Sequence, residues 1–122
     1  MFDHVGIAVS DFGKSVRFYQ AALEPLGYRL QYHDEKAASA GFGKPGAPQL
    51  WLNKAAKPSS VHFAVAAENR KAVAGFHAAG LKAGGRDNGA PGPRPDYGPT
   101  YYAAFVHDPD GNNVEAVCLR SE

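Results

Sequence analysis

Residues 108–117 read DPDGNNVEAV, a turn of Asp, Pro, Gly and Asn that leads directly into an apolar, β-rich run. Gly, Pro, Asn and Asp favour tight turns, so the stretch predicts a hairpin whose second strand starts at residue 113. Glu115 lies in the middle of that strand. Burial of a carboxylate is costly unless the group is paired, protonated or bound to a metal. The stretch therefore marks Glu115 as a candidate functional residue.

Two strand-like runs far upstream each contain a histidine among small residues. The first is DHVGIAV at residues 3–9, and the second is SVHFAVA at residues 60–66. In both runs bulky residues alternate with His, Gly or Ala, so one face of each strand is bulky and the other is small. We expect the bulky face to meet a helix and the small face, with His4 or His62, to line a cavity.

The pattern of strand, helix and strands occurs twice. Apolar residues recur at helical spacing through residues 12–26, and a second helix is predicted over residues 68–81. Other strands are predicted at residues 28–33, 37–43, 49–53, 101–107 and 113–119, and a Gly/Pro-rich loop at residues 84–99. A shift of 58 residues pairs His4 with His62, Phe18 with Phe76, Leu23 with Leu81 and Gly27 with Gly85. We predict an α+β fold, two βαβββ modules forming a curved, cleft-bearing mixed sheet with helices outside.

Length and composition limit the classes of function. A chain of 122 residues predicts a single domain over 1–122, with module 1 at about 1–54 and module 2 at about 60–122. The net charge of +1, without a Lys/Arg cluster, argues against nucleic-acid binding, and no apolar run is long enough to span a membrane. Cys118 is the only cysteine, and the first residues lack a signal-peptide pattern, which together predict a cytoplasmic protein.

The residue types point to a divalent metal. Two imidazoles and a carboxylate, from His4, His62 and Glu115, suit Fe, Mn, Zn or Ni with positions left open for water and substrate. The alternative is that Glu115 pairs with an arginine and that the histidines are hydrogen-bonded core residues.

The opening residues 3–11 (DHVGIAVSD) and 15–19 (SVRFY), with the closing DPDGNNVE, resemble a known family. They are similar to the motifs of the glyoxalase/bleomycin-resistance/extradiol-dioxygenase superfamily, the vicinal oxygen chelate fold. The resemblance covers essentially the whole chain. It implies paired βαβββ modules, with His4, His62 and Glu115 matching three of the usual metal-ligand positions. It also implies a small substrate held through adjacent oxygens, and a homodimer in which the site can be shared between chains.

One position departs from the family pattern. Glyoxalase I-type members have a fourth ligand, a Glu, in the last strand of module 1, and here Trp51 or Gln49 falls near that position. The remaining two-His, one-carboxylate set resembles extradiol dioxygenases. Glu115 is the first candidate catalytic group, and Tyr101, Tyr102 and His107 are further candidates for the general base. Loop 84–99 is a predicted lid or specificity element. The predicted substrate-binding residues are Trp51, Gln49, Arg86, Arg94 and Tyr97.

Three functions follow from different classes. The favoured one is a small metal-dependent enzyme of the lyase, isomerase or dioxygenase type. The alternative is a metal-free, ligand-sequestering protein of the bleomycin-resistance type. The third is an interaction module with a closed cavity, which the small-residue faces disfavour.

Overall fold

The chain folds into two modules of the same design, and the computed structural model describes all 122 residues. Module 1 contains β1 (Val5–Val9), α1 (Phe12–Leu23), a 3₁₀ turn (Glu24–Leu26), β2 (Arg29–Asp34), β3 (Ser39–Lys44) and β4 (Ala47–Lys54). Module 2 contains β5 (His62–Ala66), α2 (Arg70–Lys82), β6 (Arg86–Pro93), β7 (Tyr102–His107) and β8 (Asn113–Cys118). Both modules therefore have the order βαβββ.

Each module forms one four-stranded mixed sheet. The strand order is β1-β4-β3-β2 in the first sheet and β5-β8-β7-β6 in the second. β1 is parallel to β4 and β5 is parallel to β8, whereas the other neighbouring strands are antiparallel. The predicted α+β class and the paired modules are confirmed. β1 and β5 are edge strands, so each keeps one edge that no strand covers.

Helix α1 starts and stops where local chemistry requires. The Asp11 carboxylate caps its N-terminus by accepting a hydrogen bond from the backbone N–H of Lys14 at 3.1 Å. The 3₁₀ turn then ends at Gly27, whose φ of +84° is a left-handed conformation that favours glycine.

Helix α2 begins two residues later than predicted. Asn69 is its N-cap, and the Asn69 side chain accepts a hydrogen bond from the backbone N–H of Ala72 at 2.7 Å. Its buried face consists of Val73, Phe76 and Gly80.

The prediction of an irregular loop over residues 84–99 is wrong for its first half. Residues 86–93 form β6, which pairs antiparallel with β7 through a ladder that is interrupted at Gly89. Proline lacks a backbone N–H and is tolerated at a sheet edge, and β6 is the edge strand of its sheet. The glycines and prolines of this segment therefore mark a bulged edge strand.

One apolar cluster lies between the helices and the sheets and contains residues of both modules. Phe18 of α1 and Phe76 of α2 are fully buried in it, and Ile7 and Val9 contribute the bulky face of β1. The helices thus cover one face of each sheet, as the alternation in β1 predicts. Neither helix has the length and apolar composition needed to cross a bilayer.

Candidate functional site

The faces opposite the helices carry the small residues of β1 and β5. In sheet 1, Gly6 of β1 lies beside Trp51 of β4, and in sheet 2, Ala64 of β5 lies beside Glu115 of β8. Phe63 points the other way from Ala64 and packs against the core. The small faces predicted for β1 and β5 are therefore present, and Glu115 of β8 lies on the same side of its sheet as His62 and Ala64.

His62, Glu115 and Tyr101 form a connected cluster on that face. The His62 Nε2 atom lies 2.8 Å from Glu115 Oε1, and the Tyr101 hydroxyl donates a hydrogen bond to Glu115 Oε2. The Glu115 side chain is 3% exposed, whereas the His62 side chain is 54% exposed. Both carboxylate oxygens thus have partners, which explains how this strand tolerates a buried acid.

Two electrostatic features of this cluster bear on its chemistry. The hydrogen bond to Glu115, with a smaller contribution from burial, raises the pKa of Tyr101 to about 12. The phenol therefore stays protonated near neutral pH and acts as a donor to the carboxylate. The partners of Glu115 are a histidine and a tyrosine, so the alternative of pairing with an arginine is not what the structure shows.

His4 lies apart from this cluster. Its Nδ1 atom is 2.8 Å from the Asp3 carboxylate, and its side chain is exposed. His4 and His62 both line an open cleft of about 680 Å³ that runs between β1 and β5. No group of three or more His, Cys, Asp or Glu side chains gathers within the chain around a point that could hold a metal. One chain therefore brings together two of the three predicted ligands.

The register shows which residue of β4 is the counterpart of Glu115. Gly6 and Ala64 are equivalent under the 58-residue repeat, and their neighbours on the parallel strand are Trp51 and Glu115. Trp51 is therefore the counterpart of Glu115. Gln49 lies two residues earlier on the same face of β4, where it lines a second open cleft of about 540 Å³ with His4 and Trp51.

The other predicted substrate-binding residues have different surroundings. Arg94 donates hydrogen bonds to the carbonyl oxygens of Ala90 and Gly92, and its guanidinium lies 5.4 Å from the Phe105 ring centre. Arg94 thus supports its own loop in this structure. Arg86 is exposed at the start of β6, opposite His107.

Among the aromatic candidates, Tyr97 is exposed and its ring centre is 5.3 Å from that of Tyr101, in an edge-to-face arrangement. Tyr97 therefore lies next to the His62–Glu115–Tyr101 cluster. Tyr102 lies elsewhere. Its ring packs against the Arg70 guanidinium, whose Cζ atom is 4.8 Å from the ring centre.

Sequence reasoning missed the supporting role of the turn at residues 108–112. The buried Asp108 carboxylate accepts hydrogen bonds from the Tyr19 hydroxyl at 2.6 Å and from the Asn112 side-chain amide at 2.8 Å. The Asn112 Oδ1 atom in turn accepts from the backbone N–H of Val61 at 3.0 Å, directly before His62. No signal in the sequence marks this role, because the burial of Asp108 and Asn112 becomes visible only in the structure.

Burial and the Asp108 carboxylate raise the pKa of Tyr19 well above its ordinary value. The Tyr19 phenol therefore remains a donor, and it ties helix α1 to the turn that positions β5.

Known proteins support this description. The model of the glyoxalase-like domain family matches residues 4–117. A glyoxalase/bleomycin resistance protein from Albidiferax ferrireducens T118 is 28% identical, with a TM-score of 0.81 and coverage of 97% of this chain and 98% of that chain. No curated protein matches the chain.

Two further solved structures share the fold at lower identity. A glyoxalase-related enzyme from Fulvimarina pelagi is 18% identical, with a TM-score of 0.73 and coverage of 97% and 87% of the two chains. The V278E mutant of glyoxalase I from Zea mays is 21% identical with a TM-score of 0.67, and the match covers 99% of this chain and 45% of that one. With residues 4–117 matched, the chain belongs to the glyoxalase-like domain family, within the glyoxalase/bleomycin-resistance/dioxygenase superfamily.

Proposed function

We propose that the protein is a metal-dependent enzyme that acts on a small substrate held through two adjacent oxygens, by lyase, isomerase or dioxygenase chemistry. The observation that carries the proposal is the contact between His62 and the buried Glu115 on the face of the second sheet opposite the helices. An imidazole and a carboxylate that converge at a cleft are a ligand set that Zn, Ni, Fe and Mn accept.

The geometry of this pair fits a shared ion. Two neighbouring ligand atoms at about 2.1 Å from one octahedral ion are about 90° apart, which separates them by about 3 Å. The His62 Nε2 and Glu115 Oε1 atoms are 2.8 Å apart, close to that separation. A bound divalent ion would supply Lewis-acid stabilisation of charge that develops on the substrate oxygens. Trp51 cannot coordinate a metal, so its place in the fold leaves a coordination position for substrate.

A homodimer would bring the third ligand to the pair. The outer edges of β1 and β5 have no strand partner, and Val5 and Val61 are exposed beside them. Uncovered edge strands favour association with another chain. In the proposed dimer, His4 of one chain completes the site formed by His62 and Glu115 of the other.

Tyr101 and Glu115 have distinct roles in this proposal. The Tyr101 hydroxyl holds Glu115 Oε2 and so fixes the orientation of the carboxylate, which leaves Oε1 directed at His62. Glu115 is the candidate base toward the substrate, and Tyr101 is the candidate for positioning that base.

A specific observation favours the second candidate function, metal-free sequestration of a ligand. Both oxygens of Glu115 are already hydrogen-bonded by protein side chains. A carboxylate satisfied in this way needs no ion to be stable. Metal content separates the two functions.

We expect protein purified without an affinity tag to contain close to one metal ion per chain. The metal content of His62→Ala should be at least tenfold lower. Plasma mass spectrometry on both proteins checks this expectation. The matched control is His33→Ala, because His33 is also exposed but stacks on Phe12 away from the cluster. A wild-type protein that contains no metal and takes none up would refute the metalloenzyme proposal.

We expect Trp51→Glu to raise zinc affinity by tenfold or more. The register gives residue 51 the same place beside Gly6 that Glu115 has beside Ala64, so the new carboxylate would restore the fourth ligand. Competition with a chromophoric chelator measures the affinity. Trp51→Gln is the control, since an uncharged amide of the same size is a weak ligand. Equal affinities for the two variants would contradict the assignment of residue 51.

A further inference from the structure

Trp51 lies in a row of residues in which both of its neighbours across the sheet are glycines. Across sheet 1 the register places Gly6 and Gly41 on either side of Trp51, and Tyr32 beyond Gly41. All four residues belong to the face of the sheet opposite the helices. The two glycines have no side chains, so the aromatic residues dominate this part of the face.

The indole ring lies flat on the backbone of Gly41. A Cβ atom built on Gly41 would be 3.0 Å from Cη2 and Cζ3 of Trp51 and 3.1 Å from Cε3. Near-equal distances to three consecutive ring atoms place Gly41 over the face of the ring rather than beyond its edge. One face of the indole is therefore packed on backbone, and the opposite face points away from the sheet.

The outward face of the indole belongs to a cleft that also contains polar groups. Trp51 is half-buried, Tyr32 is 46% exposed, and their ring centres are 5.5 Å apart. The same cleft of about 540 Å³ is lined by His4 and Gln49. An aromatic surface next to a proposed metal ligand is suited to a ligand that has both a flat apolar part and oxygens.

We propose that Trp51 stacks on a planar aromatic group of the substrate, so that the substrates are aryl compounds with two adjacent oxygens. The assignment rests on the proposed function, because His4 lies on the same face of sheet 1 and would direct the oxygens to the metal. In glyoxalase I-type members this position is a charged ligand. In this chain it is a flat surface, which selects substrates by shape and stacking.

The test compares two ligands that differ in the aromatic ring alone. Phenylglyoxylate and pyruvate both present a keto oxygen beside a carboxylate, and only the first has an aryl group. Calorimetry is expected to give about tenfold tighter binding of phenylglyoxylate by the wild-type protein. Trp51 is the only tryptophan, so phenylglyoxylate should also quench the protein fluorescence, after correction for absorption by the ligand.

Two variants locate the preference at this residue. Trp51→Ser should bind both ligands equally, whereas Trp51→Phe should keep most of the preference because it keeps an aromatic face. Circular dichroism establishes that both variants are folded. A wild-type protein that binds the two ligands equally, or that fails to bind phenylglyoxylate at millimolar concentration, overturns the proposal. So does a preference that survives in Trp51→Ser.

The outcome is separable from that of the metal experiment. A protein that holds metal but shows no aryl preference refutes the stacking role of Trp51 and leaves the metalloenzyme proposal intact. A protein with an aryl preference but no metal retains the stacking role and refutes the metalloenzyme.

Discussion

Asp108→Ala is expected to lower the free energy of unfolding by about 3–5 kcal/mol. The Asp108 carboxylate is buried and accepts four hydrogen bonds, from the Tyr19 hydroxyl, the Asn112 side chain and the backbone N–H groups of Asp110 and Asn112. Alanine would leave these donors without an acceptor in a site that water reaches poorly. Each such buried group costs about 1–3 kcal/mol, with partial relief from rearrangement.

Urea unfolding followed by circular dichroism measures the loss. Asp96→Ala is the matched control, because Asp96 is an exposed loop carboxylate and its removal should change stability by less than about 0.5 kcal/mol. If Asp108→Ala were no more damaging than Asp96→Ala, the buried network would have no structural role. The same variant should weaken metal binding, since Asn112 positions the backbone next to His62.

Phe76→Ala is expected to lower the free energy of unfolding by about 3–5 kcal/mol. Phe76 is fully buried on α2, within the cluster that joins the two modules. Truncation removes the transfer free energy of the ring and leaves a cavity that a core with residues from two sheets can close only in part.

The control is Leu81→Ala on the same helix, because Leu81 is 37% exposed and should contribute less than about 1 kcal/mol. Urea unfolding of both variants, with unchanged slopes of free energy against urea, makes the comparison valid. Similar losses from the two substitutions would show that α2 packs differently from its description above.

The internal repeat correctly predicts which residues are equivalent in the two modules as far as the end of each helix, and fails after it. Phe18 and Phe76 are both fully buried, as equivalent core positions should be. Leu23 is buried but Leu81 is exposed, so this pair is not equivalent. In module 1 the helix is followed by a 3₁₀ turn that α2 lacks. The spacing between equivalent residues therefore changes at the end of the helix.

The glycines after the helices show the same change in spacing. Gly27 has a φ of +84°, and the residue with the matching conformation is Gly84, at +100°, rather than the predicted Gly85. A single-residue shift is invisible to a pattern of apolar spacing, because the helix end is set by capping geometry.

The candidate site was predictable only in part, for physical reasons. His62 and Glu115 were identified because a polar residue in an apolar strand stands out. The choice between Trp51 and Gln49 required the register, which depends on the turn between β3 and β4. The position of Tyr101 over Glu115 depends on the path of the chain just before β7. The spacing of residues in the sequence does not predict that path.

Edge strand β6 has a consequence for how copies of the chain can assemble. Pro91 and Pro93 offer no N–H to an incoming strand, and Gly89 bends the strand out of regular alignment. A strand from a neighbouring chain that paired with β6 would therefore have too few backbone N–H donors for a regular ladder. The open edges of β1 and β5 are instead beside the cleft of about 680 Å³. The blocked edge of β6 thus disfavours end-to-end growth of the second sheet into filaments, as the closed pair proposed above requires.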